Sequence, residues 1–134
     1  MDTHTANMPR KMPWVAISVI ASIVLLLGLL LMVMPKGFKT THEQIGTGKP
    51  SVVFVYDANL VSSTTQTEQM NEARAHLGDN VFFLLARAGT PEGDQLIAKH
   101  GARPAELLLF DAAGSLTKRQ LAVIDANELM LWVR

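Results

Sequence analysis

The sequence predicts an α/β protein with one N-terminal transmembrane helix and, after it, a βαβαββα domain built on a mixed four-stranded sheet. Three observations lead to this. Met12 to Met34 carries no charged residue. Beyond it, short continuous apolar runs rich in Val, Leu and Phe alternate with segments of helical period, the pattern of strands buried on both sheet faces and joined through helices. Two later strand-like runs flank DAAG (111–114), which has Asp at the first turn position and Gly at the fourth, a type I hairpin turn. The helix-linked strands should be parallel and the tightly turned pair antiparallel.

Residues 1–13 form a short tail with a basic patch, Arg10 and Lys11. The next run, WVAISVIASIVLLLGLLLMVM (14–34), is the membrane span, with Trp14 at one interface and Lys36 and Lys39 at the other. The charge-free stretch would extend roughly 34 Å as a helix, enough for a hydrocarbon core of roughly 30 Å. A cleaved signal sequence would have a shorter apolar region and end on small residues, whereas this one ends Met-Val-Met-Pro-Lys-Gly, so an uncleaved anchor is expected. The charge count barely orients it. The short basic tail places the N-terminus in the cytoplasm and the C-terminal domain in the periplasm, on a single-pass inner-membrane protein.

Residues 35–50, PKGFKTTHEQIGTGKP, have no sustained period and read as a linker with room for one short extended piece, so the domain is placed at 51–134. SVVFVYD (51–57) is a buried-type strand. A helix follows over 66–77, opened by a capping box of Thr65 and Glu68 and ended by Gly78 and Asn80. NVFFLLAR (80–87) is the second strand. The next helix opens at Thr90-Pro91 and closes at His100-Gly101. ELLLFD (106–111) and SLTKRQ (115–120) make the hairpin. Asp125 caps a last helix with Glu128 at the reciprocal position, and Leu129, Trp132 and Val133 line one face of it.

From Lys36 onward there are ten basic and eleven acidic side chains, so no basic field exists to attract nucleic acid. The chain has no cysteine, which excludes disulfides, thiolate catalysis and thiolate metal sites. His4, His42, His76 and His100 are scattered, with no two at ligand spacing on one element, so no metal or other cofactor is expected. Ser62, Ser63, Thr64 and Thr65 read as helix caps, and Met70 and Met130 as core.

The element order, with KPSVVFVYDAN, NVFFLLAR, LLLFDAAGSLTKR and a closing amphipathic helix, resembles the thioredoxin-like superfamily over roughly Lys49 to Arg134. In that superfamily a CxxC redox pair opens the helix after the aromatic-ended strand. Laid on this chain, the motif falls on Leu60, Val61, Ser62 and Ser63, with the cysteine positions at Leu60 and Ser63. Exchange needs a thiolate attacker and a second, resolving thiol. Leucine offers neither, and a serine hydroxyl is a weak nucleophile without an adjacent base, which the neighbouring sequence lacks. The resemblance also implies a cis-proline before the third strand. Pro104 is the candidate, standing one residue early with Ala105 in the expected place.

The chain is therefore read as not an enzyme. It is expected to be a redox-inert, membrane-anchored accessory or assembly subunit whose partners are the lipid bilayer and other membrane protein subunits. An alternative is a helper for thiol-disulfide or cytochrome maturation, or for a secretion apparatus, that binds polypeptides without exchanging disulfides. Two contact surfaces follow from the sequence. Ser18, Ala21, Ser22 and Gly28 give the membrane helix a small-residue side. The other surface is the strand edge Val81, Phe82, Phe83, Leu84 and Leu85, which thioredoxins proper cover with an additional N-terminal strand. Here either GFKTTHEQI (37–45) folds back over it or another chain adds a strand.

Overall fold

A computed structural model describes residues 13 and 14–33 and residues 37–134. The tail at 1–12 with His4, Arg10 and Lys11, the end of the span at Met34, and Pro35 and Lys36 lie outside the described residues. The chain divides into two units, Met1–Lys36 and Gly37–Arg134.

In the first unit, α1 (Trp14–Val33) is a continuous helix of 20 residues. Trp14–Met32 is long and apolar enough to cross a bilayer, a test that a signal sequence near an N-terminus also passes. Its two hydroxyls bond within the helix, Ser22 Oγ donating to Ser18 O at 2.8 Å and Ser18 Oγ to Val15 O at 3.4 Å. Along the small-residue side they therefore contribute slimness and no free donor.

In the second unit the elements are β1 (Ser51–Tyr56), α2 (Val61–Leu77), a 3-10 turn (Gly78–Asn80), β2 (Phe82–Arg87), α3 (Pro91–His100), β3 (Glu106–Phe110), β4 (Leu116–Leu121) and α4 (Ala126–Trp132). The sheet order is β2-β1-β3-β4. β1 is parallel to β2 and antiparallel to β3, and β3 and β4 form the hairpin, with a register shift at Leu109/Phe110. Residues alternate between two cores, as the pleat requires. Val52, Phe54, Phe83, Leu85, Leu107 and Leu109 meet Met70, Ala73, Ile124, Ala126 and Leu129 from α2, α4 and the loop before α4. Val53, Val55, Leu84, Ala86, Leu108 and Phe110 meet Leu96 of α3 on the other face.

Most of the local signals form as read. Thr90 Oγ1 accepts from Gly93 N, Pro91 is the first helical residue, and Gly101 closes α3 in the left-handed conformation. Asp125 accepts from Glu128 N at 2.8 Å. In the hairpin turn, Gly114 N donates to Asp111 O, and Asp111 Oδ1 accepts from Ala113 N and Ser115 N. Gly93 has a packing reason: a Cβ there would fall 1.9 Å from Arg87 O, so only glycine lets α3 approach the end of β2 this closely.

Two boundaries differ from the sequence reading. α2 begins at Val61, not Gln66, and its N-cap, Leu60, makes no side-chain cap bond. Thr65 lies inside the helix with its hydroxyl toward Val61 O, so the Thr65/Glu68 capping box does not form. The inward stripe of α2 is Ser63, Gln66, Met70 and Ala73, and its first two members are polar, which hides the first turns from a hydropathy pattern. The second correction concerns the linker: the compact unit starts at Gly37, not Ser51. Lys39 forms a parallel bridge to Leu84, Ile45 packs on the α3-side core, and Gly46 lies against Gly114. Covering an apolar edge provides the free energy that orders this polar stretch.

Candidate functional site

The positions matched to the redox motif gather at the sheet end where β1 terminates. After Tyr56 the chain turns through Asp57, whose Oδ1 accepts from Asn59 N and whose carbonyl accepts from Leu60 N. Leu60 caps α2 from an extended conformation, 37% exposed, and Val61 projects into solvent, 85% exposed. Ser63, one turn in, is fully buried, and its Oγ accepts from Asp57 N at 3.1 Å. The hydroxyl thus ties the loop to the helix instead of capping the helix N-terminus, which corrects the capping expectation at this residue. Among the described residues no side-chain base is hydrogen-bonded to Ser63 Oγ.

Two other segments complete this end. Arg103–Glu106 is a tight turn closed by Glu106 N to Arg103 O at 3.2 Å, with Pro104 second and Ala105, φ 62°, third. That is the residue order of a type II turn. Among the described residues the cis bond is Ala122–Val123, so the Arg103–Pro104 bond is trans and the cis-proline expectation is corrected. The turn achieves its reversal with Ala105 in the left-handed region instead. Ala105 N donates to Val55 O, and Ala105 O accepts from Ala122 N at 2.8 Å, linking β1, this turn and the segment after β4.

That last segment is held by a residue the sequence reading passed over. Gln66 is fully buried and pairs with the backbone of Ile124 on both sides: Nε2 donates to Ile124 O at 2.9 Å and Oε1 accepts from Ile124 N at 2.7 Å. Gln69 Oε1 accepts from Ala126 N in the same way. Leu121 and Val123 are left half-exposed, and with Leu60 and Val61 they make four of the five large apolar side chains exposed in the second unit, all on segments at this end. No sequence signal marks them as a group, because the loop reaches α2 across 58 residues.

The charged groups nearby are structural. Glu106 is buried and receives Arg119 Nη2 at 2.6 Å. Arg119 also donates to His100 O and Gly101 O. Burial, then the charges of Lys99 and Arg119, hold the His100 imidazole below its ordinary range. Among the described residues no group of three or more His, Asp or Glu side chains is arranged to hold a metal ion.

A groove of about 570 Å³ lies elsewhere, between residues 41–45, α3 and the β3–β4 turn. Ile45, Leu96 and Phe110 are apolar in its lining, and His42, Glu92 and Lys99 are polar. None of the motif positions takes part in it.

The strand edge Val81–Leu85 is covered from within. Lys39 bridges Leu84, Lys39 O accepts from Leu85 N, and Phe38 lies 6.5 Å from Phe83, so the fold-back alternative is the one the chain adopts.

No family model and no curated protein matches the sequence. Solved structures do match. An uncharacterized thioredoxin-like protein from Clostridium perfringens aligns at TM-score 0.63 and 12% identity, covering 70% of this chain and 75% of its own. The protein Trxlp from Edwardsiella tarda aligns at 0.61 and 12%, covering 72% and 98%. The exposed lipoprotein thioredoxin Etrx1 from Streptococcus pneumoniae aligns at 0.57 and 12%, covering 66% and 85%. At these identities the likeness is one of fold, and the fold of this domain is thioredoxin-like.

Proposed function

We propose that this chain is a redox-inert, membrane-anchored protein that acts by contact, as an accessory or assembly subunit of a larger membrane complex. The observation that carries the reading is the state of the motif end. A leucine and a buried serine stand where exchange would need two thiols, and that serine's oxygen is already engaged by Asp57 N–H. What surrounds them is apolar: Leu60, Val61, Leu121 and Val123 are exposed on one end of the sheet, and exposed apolar groups gathered in this way mark contact surfaces.

The function then lies in desolvation of that end by another polypeptide, with α1 supplying residence in a membrane. The full chain, extracted from its own membranes in mild detergent, is expected to migrate with other subunits identifiable by mass spectrometry. A Val61→Asp/Val123→Asp variant, placing two charges on exposed positions, should fold normally and lose those subunits. Recovery of the unaltered chain only as an isolated monomer, or an unaltered complex in the double variant, would overturn the proposal.

A further inference from the structure

The outer edge of β2 gathers cations, and its geometry holds them in place. Lys39 is fixed through its backbone, bridging Leu84 and accepting from Leu85 N at 2.9 Å, while His42 Nε2 meets Leu85 O, also at 2.9 Å. The Lys39 side chain is left exposed. Lys49 Nζ lies 5.4 Å from the centre of the Phe82 ring, and the Arg74 guanidinium lies 4.2 Å from that of Phe38. Phe82 packs on the α3-side core and Phe38 on the other, so Lys49 and Arg74 flank the edge from opposite faces of the sheet. The carboxylates on the same segments are Asp79, in the turn before β2, and Glu43, which accepts from Thr41 Oγ1 and lines the groove beside α3. Glu72 is two residues from Arg74 and so leaves α2 on a different side. Among the described residues neither Lys39 nor Lys49 has an ion-pair partner.

Chain length brings this edge to a bilayer that α1 spans. Residues 34–36 are all that separate Val33, the last residue of α1, from Gly37, the first of the folded unit. Four Cα steps reach at most about 14 Å. Phe38 and Lys39 follow at once, whereas β4 lies three strand spacings from β2 across the sheet. We propose that the folded unit docks on the bilayer surface by the outer edge of β2, with Lys39, Lys49 and Arg74 directed at anionic headgroups. The inference rests on the reading of α1 as an anchor and is independent of the Leu60 end. The rings of Phe38 and Phe82 hold two of the cations where they are needed, so little side-chain freedom is lost on contact. A tether is indifferent to headgroup charge and to salt, and docking depends on both.

The cysteine-free chain accepts a single reporter. Thr40→Cys, exposed beside Lys39, and Gln120→Cys, exposed on β4, are labelled with a fluorophore in separate full chains and reconstituted into vesicles whose lipids carry a headgroup quencher. The vesicles are either zwitterionic or contain roughly a third anionic lipid. The label at position 40 is expected to be quenched more in the anionic vesicles, and the excess to vanish at about 1 M salt, where the screening length falls to about 3 Å. The label at position 120 should respond to neither change. Lys39→Glu/Lys49→Glu alters exposed side chains and leaves the backbone bridge in place, so it should keep the far-UV circular dichroism and lower the ratio of docked to undocked chain roughly tenfold. Equal quenching at position 40 in both kinds of vesicle, or an excess that survives the charge reversal, overturns the proposal. Carbonate extraction of the same vesicles reports the anchor by itself. A chain that washes off removes the anchor and this proposal together, and a chain that stays while its label ignores headgroup charge overturns docking alone.

Discussion

Gln66 carries the heaviest local demand in the domain. Its amide is buried and serves as both donor and acceptor for one backbone unit, Ile124, so it acts as a one-residue strand neighbour to a loop that has none. Replacing it with Leu keeps the volume and strands an N–H and a C=O, each worth about 1–3 kcal/mol when buried and unpaired. Gln66→Leu is expected to lower unfolding free energy by about 2–5 kcal/mol in urea titration. A loss below about 1 kcal/mol would show that the loop finds other partners. His100 gives a second residue-scale prediction. Because burial and the charges of Lys99 and Arg119 depress its pKa in the fold, the unfolded chain takes up the proton first. Above the unfolded value, about 6.5, both states are neutral and the titration of this residue has no effect on stability. As pH falls through that value, stability declines until the folded imidazole is protonated too. The Tm of the unaltered protein should therefore drop further between pH 7 and 5 than that of His100→Gln. Equal slopes would exclude the effect.

At the scale of elements, β4 shows why an exposed edge strand can still be structural. Lys118 and Arg119 are adjacent, so they leave opposite faces of the sheet. Lys118 Nζ reaches Trp132 O at the end of α4, and Arg119 reaches His100 O and Gly101 O at the end of α3, each placing a cation at a negative helix terminus. The sequence reveals elements whose ends carry their own chemistry: Thr90-Pro91, Gly101, DAAG and Asp125 all work locally. It conceals the start of α2, because Leu60 supplies no cap and the first inward residues, Ser63 and Gln66, are satisfied by backbone distant in sequence. The placement of Leu60 and Ser63 was legible through resemblance, whereas Leu121 and Val123 became neighbours of that end only through the fold. The helix start itself is testable. Leu60→Cys/Ser63→Cys puts thiols at the N-cap and one turn inward, where the helix terminus lowers a thiol's pKa. The double variant is expected to form one intrachain disulfide on oxidation and to reduce insulin when reduced, with the cysteine-free parent as the blank. Failure to close that disulfide would mean α2 does not begin with redox-site geometry.

For the folded unit as a whole, the decisive question is where it begins. A boundary at Ser51 follows the hydropathy of the chain, since Gly37–Pro50 is polar and aperiodic. The observed unit includes that stretch because β2 needs an outer neighbour: without it, Phe83 loses Phe38, Leu85 loses a donor and an acceptor, and Ile45 no longer shields the α3-side core. Partial burial of two large apolar side chains and the pairing of one residue's backbone N–H and C=O together amount to about 2–3 kcal/mol. In a domain of this size each kcal/mol shifts Tm by roughly 4–8 °C. Comparing Gly37–Arg134 with Ser51–Arg134, the shorter chain is expected to melt about 10–20 °C lower and to aggregate through the uncovered edge, in differential scanning calorimetry and light scattering respectively. Equal melting temperatures and equal solubility would show instead that β2 tolerates an open edge, and that the fourteen residues ahead of β1 serve only as a connection.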